Sequence, residues 1–154
     1  MSQLTTRIAT EADADDLLRL MREYYAFDGH HFEEAAARQA LLGLLREPAY
    51  GLAWVVFDNN KRATGPVGYA VLCFGYSLEY HGRDAFLDEL YLVESYRGQG
   101  WGKKLLEVIE DAARKHDVRS VHLEVVRTNT RANEFYLRHG YVDHEHHLMS
   151  KKVG

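Results

Sequence analysis

Cysteine is all but missing: the 154-residue chain holds one, Cys73. A lone thiol forms no internal disulfide, so the fold has to rest on its core, and this usage suits a reducing compartment. No apolar run approaches the roughly 20 residues of a membrane span, and the opening Met1-Ser2-Gln3-Leu4-Thr5-Thr6-Arg7 lacks the apolar centre of a secretory signal. The expectation is a cytoplasmic protein with no membrane partner. A basic excess is missing too: 19 Lys and Arg stand against 23 Asp and Glu, a net charge of -4. That argues against nucleic acid or an anionic bilayer as partner and is compatible with a cationic substrate. Repeats, linkers and low-complexity stretches are also lacking, and the length predicts a single domain over 1–154 that buries well over half of its unfolded surface.

What is present is regular patterning. Residues 4–9 read as a strand. Thr10 followed by Asp13 makes a capping-box pattern with Asp in the place of Glu. Leu17, Leu18, Met21 and Tyr25 recur on one face opposite Asp15, Asp16, Arg19 and Arg22, which predicts a helix. Phe27-Asp28-Gly29-His30-His31 breaks the period. A second helix over 33–46 turns Ala37, Ala40, Leu41, Leu44 and Leu45 inward and ends before Pro48. Runs 52–57 and 67–74, parted by Asp58-Asn59-Asn60-Lys61, predict an antiparallel hairpin, and 85–93 another strand. Residues 99–116 form the clearest helix, with Leu105, Leu106, Ile109, Ala112 and Ala113 inward and the pairs Glu110/Arg114 and Asp111/Lys115 outward. A strand over 121–126, a short helix over 129–139 closed by Gly140, and a terminal strand over 141–151 complete the order. This alternation predicts an α/β protein, a mixed sheet with helices on both faces.

The junction after the 85–93 strand carries the chemistry. Glu94-Ser95-Tyr96-Arg97-Gly98-Gln99-Gly100-Trp101-Gly102-Lys103-Lys104 passes from strand through a glycine-rich turn into the clearest helix. Alternate glycines let the backbone approach a ligand, and the helix presents free N–H groups and its positive end, an arrangement suited to phosphate. A dinucleotide G-x-G-x-x-G needs glycine where Lys103 stands. A Walker loop needs glycine at Arg97 and a hydroxyl at Lys104.

The remaining pattern, R-x-x-G-x-G between strand and helix, resembles the acetyl-coenzyme A loop of the GNAT N-acetyltransferases. A second stretch, from Asn129 to Tyr141, resembles the family's N-x-x-A-x-x-x-Y-x-x-x-G-[FY] segment. A third, Gly82-Arg83-Asp84-Ala85-Phe86-Leu87-Asp88-Glu89-Leu90-Tyr91, looks like the diamine branch, spermidine/spermine-like, with the order of the two acids swapped. The resemblance implies the GNAT fold: a mixed central sheet of six to seven strands with about four helices on its two faces. It also implies acetyl-CoA as co-substrate and no metal, a small-molecule primary amine as acceptor, direct attack in a ternary complex, and a homodimer.

By the same resemblance, backbone N–H groups over Gly98, Gln99, Gly100, Trp101, Gly102 and Lys103 hold the pyrophosphate, with Arg97 and Lys103 adding charge and Trp101 either lying on the sheet or shielding the phosphates. Leu92 and Val93 pair with the pantetheine arm, and Asn129 contacts the cofactor. Tyr136 protonates the departing thiolate; a phenol near pKa ~10 does so for a thiol near ~8.5 only when hydrogen-bonded in place. Taken alone, Phe135 and Tyr136 read as core aromatics, and the flanking Asn129, Ala132 and Gly140 turn the reading.

An alkylammonium must shed a proton before attack, at about 4 to 5 kcal/mol near neutral pH, so a carboxylate is useful. Asp88 and Glu89 lie on opposite faces if the strand alternates. Glu89 is the favoured acid, with water as intermediary, and Asp88 is retained. Tyr25, Phe27 and His30, with Tyr76, Glu79, Tyr80 and Arg83, are candidates to line the acceptor pocket. Cys73 reads as a small core residue, not an acyl carrier. His144, His146 and His147 share no coherent ligand set. A non-catalytic acyl-CoA-binding module stays open as the alternative.

Overall fold

The computed structural model describes residues 3–154, which divide into two compact units, one running to Leu123 and the other comprising Glu124–Gly154. In the first, β1 (Leu4–Ile8), β2 (Gly51–Asp58), β3 (Gly68–Ser77), β4 (Gly82–Leu92) and β5 (Ser120–His122) lie side by side in that order. Successive pairs are antiparallel up to β4, and β5 joins β4 in parallel. The helices are α1 (Ala14–Phe27), α2 (Glu34–Arg46) and α3 (Trp101–Lys115), with α4 (Thr130–Arg138) in the second unit.

The entry to α1 follows from its residues. The Asp13 carboxylate accepts from the Thr10 N–H at 2.8 Å and from the Arg7 guanidinium in two bonds of 2.8 Å, as the Thr10–Asp13 spacing predicts. The apolar stripe of α1 then places Leu17, Leu18, Leu20 and Met21 against Ala53, Val55, Tyr69, Val71 and Tyr91 of the sheet. Leu41 of α2 joins this core, with Ala37, Leu44 and Leu45 partly buried against it. These four follow an i, i+4, i+7, i+8 stripe, which leaves Ala40 at its margin and exposed, against expectation.

Residues paired across strands share a face. Trp54 opposite Ala70, and Leu72 opposite Leu87, are therefore the buried lining of the other side. Leu105, Leu106, Ile109 and Ala113 of α3 are buried as its stripe predicts, and the ring of His116 at its C-terminal end lies 5.2 Å from that of Phe74. Helices thus cover both faces.

The sheet has five strands, not six to seven. The expected strand over 121–126 is reduced to Ser120–His122, and 141–151 holds no strand. The reason is local. The Asp143 carboxylate accepts from the Glu145 N–H at 2.7 Å, and Glu145 takes a left-handed φ of 57°, so the chain turns where a strand must extend.

Candidate active site

In β4 one residue is extra. Val71 stands opposite Glu89 and Leu72 opposite Leu87, so Asp88 is bulged out of the ladder. A bulge suspends the two-residue alternation of a strand. Two neighbouring acids therefore serve one neighbourhood: Glu89 is buried on the α1 face, and the charge of Asp88 reaches Tyr24, Tyr25 and Cys73 on that side. The strict alternation from which the two carboxylates are expected to face apart therefore fails at this point.

Glu89, 7% exposed, is held by two phenols. Tyr25 of α1 donates to its Oε1 at 2.8 Å and Tyr69 of β3 donates to its Oε2 at 2.9 Å. Burial pushes the Glu89 carboxyl above its usual range; the two phenol bonds oppose this, and Asp88 adds to it. Burial raises Asp88 as well, although its side chain is open to solvent on one side. The same burial, with carboxylates near, raises Tyr25 and Tyr69 far beyond neutral pH, pushes Tyr24 up to about 12 and pushes the Cys73 thiol up to about 11. The phenols therefore stay protonated and remain donors. Rings line this site: Tyr25 meets Tyr24 at 5.9 Å and Phe32 at 5.3 Å, and Tyr24 meets Tyr91 at 5.6 Å. A carboxylate pair walled by aromatics suits an alkylammonium, and a carboxyl raised by burial is equipped to accept a proton.

The β4 strand outruns its parallel partner. Pairing with β5 ends at Phe86 opposite His122, so from Leu87 to Leu92 this edge has no strand beside it among the described residues. The Val93 N–H turns to the β3 side, where it donates to the carbonyl of Val67, the residue before β3, at 2.9 Å. By alternation the polar groups of Leu90 and Leu92 point to the open edge. The Leu92 carbonyl is already taken, accepting from Arg97 Nε at 2.7 Å.

Beyond the strand, one 3-10 turn over Glu94–Tyr96 leads to Gly98 at φ 72° and Gly100 at φ 83°, the residue that precedes α3. Both are left-handed, a conformation glycine adopts without Cβ strain. Buried Tyr96 anchors the turn, donating to Asp58 at 2.9 Å, while Gln99 donates to the Ser95 carbonyl at 2.8 Å. The leading N–H groups of α3 have no partner within the helix, and the helix dipole adds positive potential there. These groups fit a diphosphate.

Of the predicted loop cations, Lys103 lies 3.9 Å from Glu107; the neighbouring Lys104, which is not among them, sits 4.3 Å above the Trp101 ring. Arg97 is a strut as well as a charge. Its guanidinium stacks on Phe27 at 4.4 Å and on Tyr91 at 5.2 Å. This brings Phe27, 65% exposed, beside the loop. His30 lies near Tyr25, ring centroids 6.4 Å apart, with Nε2 3.1 Å from Asp28.

Tyr76, Glu79 and Arg83 are elsewhere. They occupy the β3–β4 hairpin end, where Tyr76 pairs with Arg83, Arg83 stacks on Phe74, and Tyr80 stacks on His122. At ~3.3 Å per residue, Arg83 is about 20 Å along β4 from Glu89. The structure thus gathers Tyr25, Phe27 and His30 near the acids and the loop, and separates the hairpin residues from them. Sequence reasoning missed Tyr69 and Tyr91, whose only signal was Tyr on the inward face of a strand, and the bulge, whose signal was two successive acids in an otherwise apolar strand.

In the second unit, the Asn129 side chain caps α4 by accepting from the Ala132 N–H at 3.1 Å. Asn133 donates to the carbonyls of Val126 and Asn129 at 3.0 and 2.7 Å. Tyr136 is half-buried, its ring 5.2 Å from Phe135 and 5.5 Å from Tyr141, and Gly140 closes the helix at φ 88°. His144, His146 and His147 are exposed.

Known proteins are similar to this chain in sequence and in fold. The profile of the Acetyltransferase (GNAT) family matches residues 14–141. Thialysine N-epsilon-acetyltransferase of Bos taurus is 30% identical over 148 residues, 93% of this chain and 86% of that protein. An integron cassette protein from the mobile metagenome of Cole Harbour Salt Marsh superposes with a TM-score of 0.83 at 29% identity, covering 97% of this chain and 90% of its own. A Clostridium acetobutylicum structure with acetyl-CoA shares the fold, with a TM-score of 0.80 at 15% identity over 97% of this chain and 96% of that one. With a family profile spanning most of its length, this chain belongs to the GNAT family of N-acetyltransferases.

Proposed function

We propose that the protein transfers the acetyl group of acetyl-CoA to the primary amine of a small cationic molecule, by direct attack within a ternary complex. The observation that carries the reading is Glu89: a buried carboxylate fixed by two phenols at a bulge, on the strand that leads into the glycine turn. The bovine relative's name makes a lysine-like amino acid such as thialysine the first acceptor to test.

In this reading the N–H groups from Gly98 to Lys103 grip the pyrophosphate at the start of α3. The open edge of β4 receives the pantetheine arm as an added strand, with the Leu92 N–H aimed toward the thioester carbonyl. Asp88 and the tyrosine rings draw in the ammonium, and Glu89 receives its proton. The freed amine forms its bond to the acetyl carbon as the carbon–sulfur bond breaks. Tyr136, by its place in the matched N-x-x-A-x-x-x-Y segment, gives a proton to the sulfur and is reprotonated through water by the second proton, which the acylated nitrogen sheds as it becomes the neutral amide.

Free-thiol release from acetyl-CoA, measured with thialysine, lysine, spermidine and putrescine, tests this. Acetyl-CoA-dependent thiol release with one of these amines is expected. Tight acetyl-CoA binding with no thiol released by any of them would establish the alternative, a non-catalytic acyl-CoA-binding module.

A further inference from the structure

Resting on the reading that Glu89 receives the acceptor's proton, we propose that Tyr25 is a catalytic residue: its hydroxyl meets the amine and relays the proton to Glu89. Both carboxylate oxygens of Glu89 are already engaged, Oε1 by Tyr25 and Oε2 by Tyr69, and the acid itself is almost wholly enclosed. Of its two phenol partners, Tyr25 is the one that is partly exposed.

The two phenols make near-equal bonds to the same group and differ in where they stand. Tyr69 is 0% exposed, within the sheet and beneath α1. Tyr25 is half-buried on the last turn of α1, between Phe32 and His30, where the chain leaves the helix. A hydroxyl has one hydrogen to donate and lone pairs with which to accept. Tyr25 commits its hydrogen to Glu89 and keeps its oxygen able to accept an N–H.

The step balances. One N–H bond of the alkylammonium breaks as an O–H bond forms on Tyr25 Oη, and the original Tyr25 O–H breaks as an O–H forms on Glu89 Oε1. Tyr25 ends as it began, Glu89 becomes neutral, and the amine has its lone pair. Because nearby carboxylates and burial strongly disfavour a Tyr25 phenolate, the two transfers take place together. Asp88, open to solvent at the bulge, keeps its charge close to the ammonium until the proton leaves.

Tyr25→Phe and Tyr69→Phe each remove one hydrogen bond from Glu89, so they perturb its carboxyl alike and differ in whether the lost hydroxyl can touch substrate. The experiment is single-turnover acetyl transfer: enzyme loaded with acetyl-CoA, mixed with saturating thialysine, in water and in graded mixtures with heavy water. Tyr25→Phe is expected to slow transfer about 10²-fold and Tyr69→Phe less than tenfold. The wild-type rate should fall along a curve as deuterium is added, since two hydrogens move at once, and the residual rate of Tyr25→Phe along a straight line. Equal slowing in the two variants, or a straight line for the wild type, overturns the relay and leaves direct or water-borne transfer to Glu89. The wild-type curve decides the matter even where Tyr69→Phe fails to fold. A wild type that acetylates no amine at all overturns the parent reading instead.

Discussion

Glu89 is a residue under opposed demands. Water is withdrawn from it, which favours the neutral acid, while two phenols donate to it, which favours the anion. The net effect is a carboxyl held above an exposed glutamate's range, and hence a stronger base once ionised, and it needs no unusual residue to achieve this. Asp88 differs in kind: it sits at the bulge with no hydrogen-bonded phenol and with solvent at hand, so its contribution is charge. The two acids therefore separate kinetically. Glu89→Gln is expected to lower kcat by about 10²-fold with the acetyl-CoA Kd unchanged. Asp88→Asn should raise the KM for the amine by up to about tenfold, with kcat within about threefold of wild type. Steady-state thiol release and calorimetry read both. A larger kcat loss in Asp88→Asn than in Glu89→Gln would exchange their roles.

At the scale of elements, the site is a meeting of strand, turn and helix, and each is maintained by contacts outside it. The glycine turn is pinned below by Tyr96 on buried Asp58 and from the side by Arg97, bonded to the Leu92 carbonyl and stacked on Phe27 and Tyr91. At Gly100 the φ of 83° is imposed by the change of direction into α3, and the Cβ of an added methyl would meet no neighbour. Gly100→Ala consequently tests conformation alone. It is expected to cost roughly 1–2 kcal/mol of stability and, by turning the leading N–H groups of α3, to weaken acetyl-CoA at least tenfold in calorimetry. An unchanged Kd would remove the turn from cofactor binding.

What could be read beforehand follows the same division. The stripe of α3, the box at Thr10 and Asp13, the hairpin of β2 and β3 and the glycine turn are local, and their residues declare them. The bulge at Asp88 is not local. It exists because Val71 and Leu72 choose Glu89 and Leu87 as partners, a register set across two strands. The missing terminal strand is a different case, since 141–151 alternates tolerably on paper and is overruled by the local Asp143–Glu145 turn. Arg97 reads as a loop cation in sequence; only the fold reveals the carbonyl and rings that occupy it.

For the molecule as a whole, the acids that open α1 and the acid of the site push stability in opposite directions with pH. The hydrogen bonds from Arg7 hold the Asp13 carboxyl below its ordinary range. Its folded form prefers the anion, so its contribution is complete above the unfolded value near ~3.9 and is lost as pH falls through the lowered folded one. Glu89 is the reverse, raised chiefly by burial. The folded state holds its proton more tightly than the unfolded chain does, so stability declines as pH climbs from the unfolded value near ~4.3 through the raised folded one. In the proposed reading, that loss accompanies keeping a base in the site.

Melting temperatures measured from pH 3 to 8, on the order of five points, read both effects against wild type. Asp13→Asn should melt lower at neutral pH, with the gap closing as the pH approaches 3. Glu89→Gln should show the opposite pattern: little difference near pH 4, then a gain over wild type that widens as pH rises and becomes constant once Glu89 is fully ionised. A Glu89→Gln gap that stayed level from pH 4 to 8 would mean that the carboxyl is no harder to ionise in the fold than outside it, and the buried base would have to be abandoned.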